Sequence, residues 1–233
     1  ITLVDGGVLG QQTMPGTLTL VKGGSSSASV SLASGTTLAL NATANTVTAF
    51  NGLGVASSGG VTIGGGGILS LLPQASTLTA TRQFTVTDSP AANDLTISAS
   101  IIDGNWSGNG GPGAMGNLTF VAAAGTPRTV LTNSNSFAGA LTVTTGILNI
   151  QNNFALGSPI GSTTVSAGAA LELQGTLNLQ DEAISLAGTG PNALSSTAVL
   201  VAIQGGGALR SVSGNSVLYG NVTLTSSPTS ITV

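Results

Sequence analysis

The chain has 233 residues and only four Lys or Arg against seven Asp or Glu, with a formal net charge of −3. Three Arg and the single Lys22 cannot neutralise a run of phosphates, which excludes a basic nucleic-acid binder. With no His and no Cys, imidazole and thiolate metal ligation, thiol nucleophiles, His-based proton transfer and disulfide stapling are excluded too.

Gly, Thr, Ser and Asn fill 111 of the 233 positions. A flexible linker is nevertheless a poor description, because 41% of the chain is hydrophobic and that is enough to build a core. No run of 18 apolar residues marks a membrane span. The chain opens inside the strand-like "ITLV" at Ile1 and stops inside "SITV" at Val233. It is therefore expected to be one segment, 1–233, of a longer polypeptide.

Along the chain the hydrophobic period is two. Leu18 and Leu20, Leu38 and Leu40, Leu118 and Phe120, Leu141 and Val143, Leu148 and Ile150, Leu171 and Leu173, Leu177 and Leu179, and Val222 and Leu224 each flank a polar or small residue. This is strand alternation. Helix formers are scarce, and turns of Gly, Asn, Ser, Asp and Pro punctuate the chain every few residues. Between "DLTISASII" and "NLTFVA" lies "DGNWSGNGGPGAMG", 103–116, which holds Trp106 and six Gly and reads as a loop excursion.

Two later segments share one plan. "VTTGILNI" (143–150) and "VSAGAALEL" (165–173) each run from a Val to a Gly three residues on and then to an L-x-[LI] strand, with Val143 to Val165 and Gly146 to Gly168 both 22 residues apart. "VSLASGTTLAL" (30–40) and "VTIGGGGILSL" (61–71) are looser copies. Short strands recurring at one length predict an all-β chain with almost no helix. The specific expectation is a right-handed parallel β-helix (β-solenoid) of roughly ten coils, with inward Leu, Val, Ile and Phe and outward Thr, Ser and Asn.

The segment Gly116 to Gly175 resembles the autotransporter-associated β-strand repeat, also called the passenger-associated transport repeat. Asn135, Phe137 and Gly139, the Ala155-Leu156-Gly157 turn, and Gly168 with Leu171 and Leu173 match that family's ordered turns and strands, and "GALRSVSGNSVLYGNVTL" (207–224) resembles its usual flank. Phe137 stands where the family usually has Tyr. The resemblance implies a β-helix within a large bacterial surface or secreted protein and brings no catalytic residues.

The remaining chemistry is sparse. Gly108, Gly110 and Gly113 formally match a dinucleotide fingerprint, but no helix and no acidic residue follow at the required places. "GGGG" at 64–67 and "GGG" at 205–207 lack the Asp of calcium-binding solenoid repeats. Paired carboxylates are the catalytic chemistry left to a β-helix hydrolase or lyase: Asp88 with Asp94, and Glu172 with Asp181 or Glu182. Glu172, between Leu171 and Leu173, is expected to point outward; Asp181 and Glu182 diverge, and the nearest base to Glu172 in sequence is Arg210. Each acid reads as a solvated turn charge. Trp106 and Tyr219 are isolated aromatics, Trp106 reading as a plug under its loop, and the sequons at Asn41, Asn105, Asn117 and Asn221 follow from composition.

No catalytic, cofactor-binding or metal residue is assigned. The expected function is a stiff structural module of a bacterial extracellular or cell-surface protein, an autotransporter passenger, adhesin or fibre; the alternative is a β-helix polysaccharide lyase or glycosidase. Neither "ITLV" nor "SPTSITV" carries a capping charge, so the expected partners are further coils of the same chain or copies stacked end to end, with cell-surface or glycan contacts and no nucleic acid.

Overall fold

A computed structural model describes residues 2–4, 7–9, 12–14, 18–22, 28–40, 44–51, 60–72, 79–104, 114–191 and 206–232. Among them there is no helix, and every strand pairing is parallel. The protein is all-β.

As far as Ser100–Ile102 successive strands go to three sheets in rotation, and from Gly116–Ala124 onward most alternate between two of them. One nine-stranded sheet contains Thr2–Val4, Leu18–Lys22, Ala44–Asn51, Ala80–Thr87, Gly116–Ala124, Leu141–Val143, Ser162–Val165, Ala183–Leu186 and Val222–Leu224. A second nine-stranded sheet contains Gly7–Leu9, Ala28–Leu32, Val61–Gly65, Leu95–Ile97, Arg128–Leu131, Gly146–Ile150, Ala169–Gln174, Leu209–Ser213 and Ile231–Thr232. The third has four strands, Gln12–Met14, Thr37–Leu40, Ile68–Ser70 and Ser100–Ile102. Asn178–Leu179 pairs separately with Val217–Leu218.

The 22-residue recurrence is local. Val143 does pair with Val165, but Leu148 pairs with Leu171 and Gly146 with Ala169, not Gly168. The turn after Val165 is one residue longer than the turn after Val143, and Gly146 and Gly168 take positive φ at different register positions. Elsewhere the interval changes: Thr2 pairs with Thr19, Phe84 with Phe120, and Leu186 with Leu224. Val30 likewise pairs with Ile63, two residues past the looser match to Val61. Nine strands per large sheet, with unequal connections, replace the expected ten equal turns.

The period-two pattern places one set of side chains in columns through the core. In the first sheet Phe84, Phe120, Val143, Val165 and Leu186 are register partners and buried, the two Phe rings lying 5.5 Å apart. In the second, Ile63, Ile97, Leu131, Ile150 and Leu173 form one column and Leu95, Leu148, Leu171 and Leu209 line a parallel one. Leu38, Leu69 and Ile101 do the same in the third. Removing this apolar area from water, at ~25 cal/mol per Å², is the main source of stability in a chain without disulfides.

The core is not uniformly apolar. Arg82 is the register partner of Leu118 and only 1% exposed; its Nε donates to the Leu40 carbonyl at 2.9 Å, and desolvation lowers its pKa. Thr129 and Thr163 also occupy inward positions.

The third sheet has no strand after Ser100–Ile102 among the described residues, and Asn135 joins that strand to a later turn. The Ile101 N–H donates to Asn135 Oδ1 at 2.9 Å, and Asn135 Nδ2 donates to the Ala155 carbonyl at 2.7 Å. A single amide side chain thus stands in for a peptide unit between two layers. Next to it, Gly139 lies so close to the layer before it that a Cβ would sit 2.4 Å from the Gly116 carbonyl oxygen, and one on Gly161 would sit 2.4 Å from that of Gly139.

Candidate functional site

Among the described residues, an extended polar constellation lies on the outward register of the second sheet. Asn149, Glu172 and Arg210 are consecutive register partners, and Arg128 reaches them from two strands away. Its Nε donates to Glu172 Oε2 at 2.7 Å, Asn149 Nδ2 donates to the same oxygen at 3.1 Å, and Arg210 Nη2 is 3.2 Å from Oε1. The rest of the Arg128 fork donates to Asn93 Oδ1 at 3.0 Å and Gln174 Oε1 at 3.2 Å. Gln151 closes the network through Nε2 on Asn149 Oδ1 and Gln174 Oε1.

Glu172 keeps the expected outward register, yet it is 7% exposed, with two guanidiniums and the Asn149 amide against its carboxylate. It is not a solvated charge. Sequence distance hid the partnership: Arg128 is 44 residues from Glu172, and only the strand register brings them together. Chemically this is one carboxylate held between two cations, an arrangement that fixes three strands.

Asp88 and Asp94 are brought near enough for the charge of Asp88 to raise the pKa of Asp94, although desolvation is the larger cause. Both serve the backbone. Asp94 is buried; its Oδ1 accepts from the Ser89 hydroxyl and its Oδ2 from the Arg128 N–H at 2.8 Å. Asp88 Oδ2 accepts from the Thr126 N–H at 3.0 Å. A third carboxylate that sequence reasoning left unassigned, Asp103, does the same across layers: Oδ1 accepts from Gly116 N–H at 2.6 Å and Oδ2 from Ala138 N–H at 2.9 Å. Desolvation raises its pKa against the effect of these two bonds.

Asp181 and Glu182 diverge as expected. Asp181 is exposed with φ of 53°, while Glu182 is buried, where a turn charge in solvent was expected. Glu182 Oε1 accepts from the Thr163 hydroxyl at 2.7 Å, and desolvation pushes its pKa up to about 6. The signal for this site was faint: Glu182 stands one strand beyond Gly161 in register, at a corner otherwise held by Gly139 and Gly161.

Tyr219 is exposed. Asn117 Oδ1 accepts from the Ala140 N–H at 2.9 Å, and Asn221 is exposed. Trp106, Asn41, Asn105 and the Gly108, Gly110 and Gly113 fingerprint lie outside the described residues, as does most of the 103–116 excursion.

Comparison with protein-family models, with curated proteins and with solved structures finds no match. The residues themselves carry the functional reading.

Proposed function

We propose that the three sheets are the faces of one right-handed parallel β-helix, and that the chain is a structural module of a bacterial extracellular or cell-surface protein, an autotransporter passenger, adhesin or fibre. The strands up to Ser100–Ile102 visit three sheets in rotation, which supports the winding, and a parallel crossover within one sheet is right-handed in nearly all known cases. Nine strands spaced ~4.8 Å apart span about 40 Å. The resemblance of 116–175 to passenger repeats supports the extracellular setting.

The observation that carries the structural reading is the last layer. Val222 and Leu224 continue the columns of Ile184 and Leu186, and Ile231 continues that of Leu209, but they are 36%, 55% and 47% exposed. An apolar face with an unpaired strand edge is a template for another strand layer. A second copy stacked end to end would cover it. Asp88, Asp94, Asp103 and Glu172 are all engaged in holding backbone or strands, which favours a scaffold over a hydrolase or lyase.

Electron microscopy and light scattering of the 233-residue chain test this. Head-to-tail association that is lost in Leu224→Lys supports it. A monomer at high concentration with an ordered, uncovered last layer contradicts it, as does turnover of pectins or other glycans that disappears in Glu172→Gln.

A further inference from the structure

We propose that a surface groove at the turn after the strand Gly146–Ile150 binds a neutral saccharide. The groove has a volume of about 440 Å³ and is lined by Ser134, Gln151, Asn152, Asn153, Phe154 and Thr176 among others. None of its lining residues is ionisable.

Two amides in it have fixed orientation. The Phe154 N–H donates to Asn152 Oδ1 at 3.0 Å, and the Asn178 N–H donates to Asn153 Oδ1 at 2.9 Å. Because backbone donors hold both carbonyl oxygens, each amide has one sense only, and its Nδ2 is the free end. Among the described residues no acceptor meets either Nδ2. Gln151 is held the opposite way round: its Nε2 is committed to Asn149 and Gln174, which leaves Oε1 as an acceptor. Ser134 and Thr176 add hydroxyls that are exposed and can do either.

Phe154 completes the set. It is 51% exposed, whereas Phe137 in the neighbouring turn is fully buried. A sugar ring has an apolar C–H face and a rim of hydroxyls that both donate and accept. An aromatic platform beside preset amide donors, an amide acceptor and hydroxyls matches both features without charge. No cation is among the groove's lining residues to pair with a uronate, and Arg128 of the adjoining network is already paired with Glu172. This inference is independent of the β-helix reading, since it rests on one turn and its neighbours.

The test is titration of the isotope-labelled 233-residue chain with maltotetraose, cellotetraose and tri-N-acetylchitotriose, following the side-chain amide signals of Asn152 and Asn153. At least one probe is expected to shift both pairs of signals with a dissociation constant near 1 mM, an affinity typical of a few stacked and hydrogen-bonded contacts. Phe154→Ala should weaken that binding about tenfold. Asn152→Asp keeps the acceptor for Phe154 N–H and removes only the donor, so it should weaken binding while leaving the backbone spectrum unchanged. Absence of shifts at Asn152 and Asn153 with all three probes up to about 20 mM would overturn the proposal. So would binding that survives both substitutions undiminished.

Discussion

Arg128 Nε donates to Glu172 Oε2 at 2.7 Å across two strand spacings, and Arg210 lies against the other oxygen of the same carboxylate at 3.2 Å. Removing Glu172 would leave two largely buried cations facing each other. Glu172→Gln is therefore expected to destabilise the protein by roughly 1–3 kcal/mol, and Arg128→Gln combined with Glu172→Gln by less than the sum of the two single changes. Urea unfolding of the double-mutant cycle measures this; additive effects would mean that the pair contributes nothing.

Glu182 gives a pH dependence with a definite sign. Its pKa is raised from 4.5 to about 6 in the folded protein, so the folded state holds the proton more tightly than the unfolded one. Stability from this group is complete below pH 4.5, falls as pH rises through the interval to about 6, and the buried carboxylate then costs roughly 2 kcal/mol at neutral pH. Glu182→Gln keeps an oxygen for Thr163 and should be more stable than the parent at pH 7 and equal to it near pH 4. Asp94 and Asp103 are raised as well, but they are common to both proteins and cancel in the difference.

Asp103 holds the start of the strand Gly116–Ala124 and the turn beside Gly139 with one carboxylate. Asp103→Ala leaves two part-buried N–H groups without their acceptor and is expected to cost about 2–4 kcal/mol. Asp103→Asn retains one oxygen and should cost about half as much. Amide hydrogen exchange at Gly116 and Ala138 reports the loss locally.

Two glycines separate close approach from backbone conformation. Gly139 has no room for a Cβ beside the Gly116 carbonyl, whereas Gly168 has open space around it and a φ of 85°. Gly168→Ala should cost about 1–2 kcal/mol, the left-handed penalty alone. Gly139→Ala must move backbone and should exceed it. Thermal unfolding of the two variants gives the order.

Much of this architecture was legible because period two is a local property: Leu118 and Phe120, or Leu171 and Leu173, declare their strand and its buried face without reference to any other part of the chain. The Asn135, Phe137 and Gly139 turn was singled out by its resemblance to a repeat, whereas what Asn135 and Gly139 do there depends on other layers, an amide bridging Ile101 and Ala155 and a missing Cβ beside Gly116. The register was harder. Gly146 and Gly168 look equivalent in sequence, yet one extra residue after Val165 moves Gly168 off the match. What the sequence concealed is the partnership between distant residues. Arg128 with Glu172, and Asp103 with Ala138, depend on how many residues each connection consumes, and those numbers vary. For the same reason Asp94, Glu172 and Glu182 read as solvated charges, because their covering groups come from other layers.

The layered parallel register can be tested most directly in a chain that has no native cysteine. Thr119, Thr142, Thr164 and Ser185 are successive outward register partners in the first sheet, with neighbouring Cα atoms ~4.8 Å apart, within reach of a disulfide. The double variants Thr119→Cys/Thr142→Cys, Thr142→Cys/Thr164→Cys and Thr164→Cys/Ser185→Cys should each oxidise to an intramolecular disulfide in the folded protein, and Thr119→Cys/Thr164→Cys, two spacings apart, should not. Failure of the three neighbouring pairs, or equal cross-linking of the skipped pair, would contradict the account.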